Sequence, residues 1–125
     1  MMTLKILIIE EDIKIASIFN QIKNEKIKIK IVNNGIEAYK TLYDTTPYLQ
    51  YNYVVTNIGL PDENGVEIIK FIKKKFTSKI IIYTHKHHDF YKDKCHYDFS
   101  FDKELHTPDD IINLIMKDFN QLSSF

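Results

Sequence analysis

A chain of 125 residues, 44% hydrophobic and 27% charged, is long enough for one buried core, and its composition excludes a disordered tract; one domain over residues 1–125 is expected. Seventeen basic residues offset seventeen acidic ones, so no net field draws the chain to nucleic acid or to an anionic membrane. Cys95 is alone and forms no internal disulfide, no apolar run approaches the roughly 18 residues that span a bilayer, and the short run after Lys5 ends in acids, unlike a signal peptide. A cytoplasmic protein is expected.

Leu4 to Ile9 is short, β-branched and almost continuously apolar, the pattern of a central parallel strand covered on both faces. It runs into Glu10, Glu11 and Asp12, after which Ile15, Ile18, Phe19 and Ile22 recur at helical spacing. The acids therefore sit where a strand passes into a helix, a place that also suits carboxylates because the helix start is positive. Ile27 to Val32 alternates with Lys as a second strand, Asn33-Asn34-Gly35 is a turn, and Ala38, Tyr39, Leu42 and Tyr43 mark the next helix. Tyr53 to Val55 is a third strand leading to Thr56 and Asn57; a loop with Pro61 and Gly65 precedes a helix that buries Ile68, Ile69, Ile72 and Phe76. Lys73-Lys74-Lys75 is its solvated end.

Lys79 to Thr84 is a fourth strand. His85 to Tyr97 is polar and aromatic with little periodicity and predicts at most a short or irregular helix. Its His85, His87, His88, Cys95 and His96 match no standard zinc spacing, so a solvated loop is expected there. Phe99 and Phe101 alternate with Ser100 and Asp102 in a fifth strand; Thr107 is placed as an N-cap, Pro108 as a first-turn residue, and Ile111, Ile112, Ile115 and Phe119 as an apolar stripe.

Such alternation predicts an α/β fold whose functional groups collect at the carboxyl ends of parallel strands, where Glu10, Glu11, Asn57, Thr84 and Lys103 fall. Each has a plainer reading. Acids can simply start a helix, a Thr can simply favour a strand end, and a lysine can lie on the surface or pair with Glu10 or Glu11 to hold the pocket closed.

Taken in order, Lys5-Ile-Leu-Ile-Ile-Glu-Glu-Asp12, Tyr53-Val-Val-Thr-Asn-Ile-Gly-Leu-Pro-Asp-Glu-Asn-Gly65, Ile80-Ile-Ile-Tyr-Thr84 and Asp98-Phe-Ser-Phe-Asp-Lys103 resemble the receiver (response regulator) domains of two-component systems over essentially the whole chain. The resemblance implies a (βα)5 doubly wound five-stranded parallel sheet of the flavodoxin or CheY-like type, strand order 2-1-3-4-5. It implies a signalling module and not an enzyme. Its partners would be proteins (a histidine kinase, a phosphotransfer protein or an output protein), with neither nucleic acid nor membrane, and its state a monomer or weak homodimer. By position, Asn57 stands where the family has its phosphate-accepting aspartate, Thr84 is the switch hydroxyl and Lys103 the cation. Glu10, Glu11, Asn57 and the carbonyl of Gly59 are the positions that would hold Mg2+.

Two departures change the chemistry. Asn57 has no anionic oxygen to attack a phosphoryl donor. Glu11, one methylene longer than the usual Asp, should push its carboxylate towards the metal position, and with Asn57 neutral only weak Mg2+ binding is expected; Asp12 could take over if the helix began later. Ser100 lies where receivers often carry an aromatic residue that changes rotamer, and Glu104 replaces a common Pro. An atypical pseudo-receiver acting by protein contact is the leading expectation. A phosphorylatable receiver whose Asp at position 57 was exchanged for Asn, and a scaffold domain that does not signal, stay open.

Overall fold

In a computed structural model of the chain, residues 3–60, 65–85 and 94–123 are described. Strands β1 (Leu4–Ile9), β2 (Ile27–Val32), β3 (Tyr53–Thr56), β4 (Lys79–Thr84) and β5 (Phe99–Asp102) alternate with helices α1 (Ile13–Gln21), α2 (Gly35–Tyr43), α3 (Gly65–Lys75) and α4 (Pro108–Ser123). A short 3-10 turn, Pro47–Leu49, precedes β3. The expected helix between β4 and β5 falls largely on residues 86–93, outside the described residues.

The five strands form one sheet in the order β2-β1-β3-β4-β5, every neighbouring pair parallel. That is the expected order, and it reverses direction between β1 and β3, which opens a crevice at the carboxyl ends of those strands. Side chains that alternate along each strand feed two separate cores. Leu7, Ile9, Val54, Ile80 and Ile82 pack with Leu42 of α2 and with Ile68, Ile69 and Ile72 of α3. Leu4, Ile6, Ile8, Val55 and Ile81 pack on the other face with Phe19 of α1 and with Ile111, Ile112 and Ile115 of α4. A central strand must therefore be apolar at nearly every position, which is why β1 has no polar-apolar alternation.

Helix starts follow the capping signals. Asp12 caps α1, its carboxylate accepting from the N–H groups of Lys14 and Ile15. Asn34 caps α2, accepting from Glu37 N, while Glu37 reaches back to Asn33 N at 2.9 Å. Thr107 and Asp110 exchange the reciprocal bonds of a capping box at the start of α4. Two positions of the expected apolar stripes differ: Ile18 is 42% exposed, because the buried stripe of the short α1 runs through Ala16 and Phe19 and leaves Ile18 at its margin, and Tyr43 is 67% exposed at the end of α2, whose buried positions are Gly35, Ala38 and Leu42.

Candidate functional site

The carboxyl end of β1 places Glu10 in the crevice, where Asn33 Nδ2 donates to its carbonyl at 3.1 Å and holds the strand end against the β2–α2 turn. Across the sheet, Lys103 follows β5 and turns inward, its N–H bonded to the carbonyl of Thr84 at 3.0 Å. The Lys103 ammonium lies 2.8 Å from Glu10 Oε2, with the two side chains only 1% and 2% exposed, and 4.0 Å from Glu11 Oε1. Glu10 Oε2 also accepts from the N–H of Asp12 at 3.1 Å. Burial pushes the Glu10 carboxyl up to about 7, against the pull of the Lys103 hydrogen bond and charge and of the Asp12 N–H.

Asn57 follows β3 and is itself buried. Its Nδ2 donates to Glu11 Oε1 at 2.7 Å, and its Oδ1 accepts from Gly59 N at 3.2 Å. Those partners fix the amide's orientation: reversed, it would set an oxygen against a carboxylate and an NH2 against an N–H. The structure thus brings together Glu10, Glu11, Asn57 and Lys103, with Gly59 beside them and Thr84, also buried, ending the neighbouring strand. Asp12 is committed to the helix cap.

Sequence reasoning missed two contributors. The sequence marks Asn33 only as a turn residue. Tyr83, read only as part of a strand, lies with its ring centroid 5.6 Å from Lys103 Nζ. Its hydroxyl donates to the His106 carbonyl at 2.7 Å, and burial, with the negative Glu10 and Asp110, pushes its phenol up to about 12. Alternation along β4 could have shown that Tyr83 faces the α1 and α4 side, but not how far its ring reaches.

Mg2+, the cation the fold family implies, asks for about six hard oxygens in near-octahedral array. Here Glu10 Oε2 is engaged by Lys103 and by a backbone N–H, Glu11 Oε1 receives the Asn57 amide, and Asn57 offers that pocket a donor instead of a ligand. Glu11 Oε2 alone, among the described buried side-chain oxygens and nitrogens, has no partner. This donor set does not fit a divalent cation. Nor do any three His, Cys, Asp or Glu side chains among the described residues converge to hold a metal ion; His87 and His88 lie outside those residues.

Comparison with known proteins identifies the family and the fold. The family described as the response regulator receiver domain matches residues 6–106. A curated relative, the transcriptional regulatory protein CpxR homolog of Haemophilus influenzae, is 26% identical over 86 residues, which cover 68% of this chain and 36% of that protein. The chain thus spans about a third of the relative's length. Among solved structures, the receiver domain of the Francisella response regulator 1452 superposes with a TM-score of 0.79 at 18% identity, covering 96% of this chain and 99% of that one. The response regulator TrrA of Thermotoga maritima, solved in complex with Mg2+ and BeF, gives a TM-score of 0.72 at 24% identity, covering 92% and 98%. With most of its length matched by that family and its sheet shared with these structures, the chain belongs to the response regulator receiver domains of two-component signalling.

Proposed function

We propose that this domain is a pseudo-receiver, which signals through protein contacts and takes no phosphoryl group on residue 57. The observation that carries this reading is the amide of Asn57 donating to Glu11 Oε1 at 2.7 Å, at the position where the family's aspartate attacks. An acyl phosphate forms when an anionic carboxylate oxygen displaces the donor's leaving group, and a neutral amide supplies no such oxygen. The phosphoryl transfer that a receiver ordinarily accepts also needs charge neutralisation by a metal and a cation at the transferred oxygens. In this pocket Lys103 is held on Glu10 at 2.8 Å. The complex with Mg2+ and BeF is a property of TrrA; in the present pocket the Asn57 amide donates to Glu11. Lys103 then serves as the counterion that makes burial of Glu10 tolerable, Thr84 as part of the pocket wall.

The partners this reading calls for are a histidine kinase, a phosphotransfer protein or an output protein, met in the cytoplasm. The zero net charge and the lack, among the described residues, of a helix long and apolar enough to cross a membrane accord with protein partners. Incubation with acetyl phosphate and Mg2+, followed by intact-mass and peptide mass spectrometry, should give no adduct at residue 57. A stable phosphate mapped to Asn57 would overturn the proposal.

A further inference from the structure

We infer that Asn57 and Glu11 are a matched pair that closes the pocket in place of a cation, so that the fold needs no Mg2+ for full stability and acquires that need only when Asn57 becomes Asp. The inference rests on the pseudo-receiver reading and extends it from lost chemistry to a positive structural role for the amide.

Two carboxylates, Glu10 and Glu11, face one ammonium in the pocket, and the ammonium is not shared equally. Lys103 sits 2.8 Å from Glu10 and 4.0 Å from Glu11. Glu11 is therefore left to the Asn57 amide, whose Nδ2 lies 2.7 Å from Oε1. The longer Glu side chain spends its extra reach on this bond, where sequence reasoning expected it to approach a metal. Asn57 is satisfied at both ends, because its Oδ1 takes the Gly59 N–H.

An aspartate at position 57 would replace the donor with an anionic oxygen at the same short separation from Glu11. Two carboxylates so close cannot both stay ionised without a cation between them or a shifted proton. The substitution would thus convert a charge-assisted hydrogen bond into a repulsion that Mg2+ relieves. In the chain as it stands, Glu11 Oε2 is left over, and a single carboxylate oxygen does not hold Mg2+ against its own hydration.

The test is a thermal-unfolding cycle on wild type, Asn57→Asp, Glu11→Gln and the double variant, each in EDTA and in excess Mg2+. Wild type should melt at the same temperature in both. Asn57→Asp should lose on the order of 5–10 °C in EDTA, the scale expected when a buried hydrogen bond becomes an unsatisfied charge, and regain most of it with Mg2+. The double variant inverts the pair, amide on residue 11 and carboxylate on residue 57, and should recover without Mg2+. If Asn57→Asp does not fold in EDTA, a folded double variant supports the pairing and an unfolded one overturns it. Equal melting of Asn57→Asp and wild type in EDTA would also overturn it, as would a comparable gain from Mg2+ in wild type, or a double variant no more stable than Asn57→Asp. The two readings fail separately: a phosphate on wild-type Asn57 defeats the functional reading whatever the cycle shows, and a failed cycle without phosphate defeats only the pairing.

Discussion

At Gly65 the first turn of α3 meets the loop that carries Asn57 so closely that an added Cβ would lie 2.4 Å from the Asn57 carbonyl oxygen and 2.8 Å from Ile58 Cα. Both neighbours are backbone and cannot rotate away. Gly65 N also donates to the Ile58 carbonyl at 2.9 Å, so the helix start and the loop are held in register. Gly59, in the same loop, has open space where a Cβ would stand. Gly65→Ala should therefore destabilise the domain by about 1–3 kcal/mol, the overpacking cost outweighing the gain of at most about 1 kcal/mol in helix propensity. Gly59→Ala should stay within about 0.5 kcal/mol. Urea midpoints decide it, and equal midpoints for the two variants would contradict the close approach. The spacing from Leu60 to Gly65 was legible in the sequence as a motif, but its reason was not, since that lies in backbone atoms meeting across a loop. The same holds at Glu11: the sequence shows the residue type, and only the fold shows that its carboxylate meets an amide.

Among the elements, the strands were the most legible, because a parallel sheet covered on both faces demands apolar runs of limited length, and Lys79–Thr84 and Ile27–Val32 emerge with the bounds their patterns suggest. What periodicity leaves hidden is how an element's ends are fastened. Asp118, far along α4, accepts from Lys79 Nζ at 2.8 Å at the start of β4 and from the Tyr53 hydroxyl at the start of β3. No local pattern links residues so distant in the chain. Burial pushes the Asp118 carboxyl up, but the hydrogen bonds from Lys79 and Tyr53 and the Lys79 charge outweigh it and leave the group below the ordinary range. A carboxyl lower in the folded state than in the unfolded chain stabilises the fold above its unfolded pKa of about 3.9, and that contribution disappears as pH falls through the folded value. Asp118→Asn should accordingly lower the melting temperature at neutral pH and flatten its decline below about pH 4, so that the two curves converge in acid. Parallel curves across that range would show that Asp118 does not fasten α4.

For the whole molecule, the question is whether two conformations remain to be exchanged. A ligand shifts such an equilibrium only by its differential affinity for the two states. On the reading proposed above, the pocket would give Mg2+ and a phosphate mimic little to bind, with Lys103 on Glu10 and the Asn57 amide on Glu11. The usual readout is altered as well. Ser100 takes the aromatic position on β5, and Tyr83, the aromatic that does lie against Lys103, is pinned by its bond to the His106 carbonyl and by an edge contact with Phe19, ring centroids 6.2 Å apart. His106 is in turn packed edge-on against Phe101, centroids 4.9 Å apart. Contacts therefore run from the pocket to the β5–α4 loop through Tyr83 and His106. An amide NMR titration with Mg2+ and beryllofluoride should move only resonances lining the pocket, near Glu10, Glu11, Asn57 and Lys103. Shifts spreading through Ser100, His106 and the length of α4 would mean that a switch operates with Asn at position 57, with Tyr83 released from His106 as the first contact to examine.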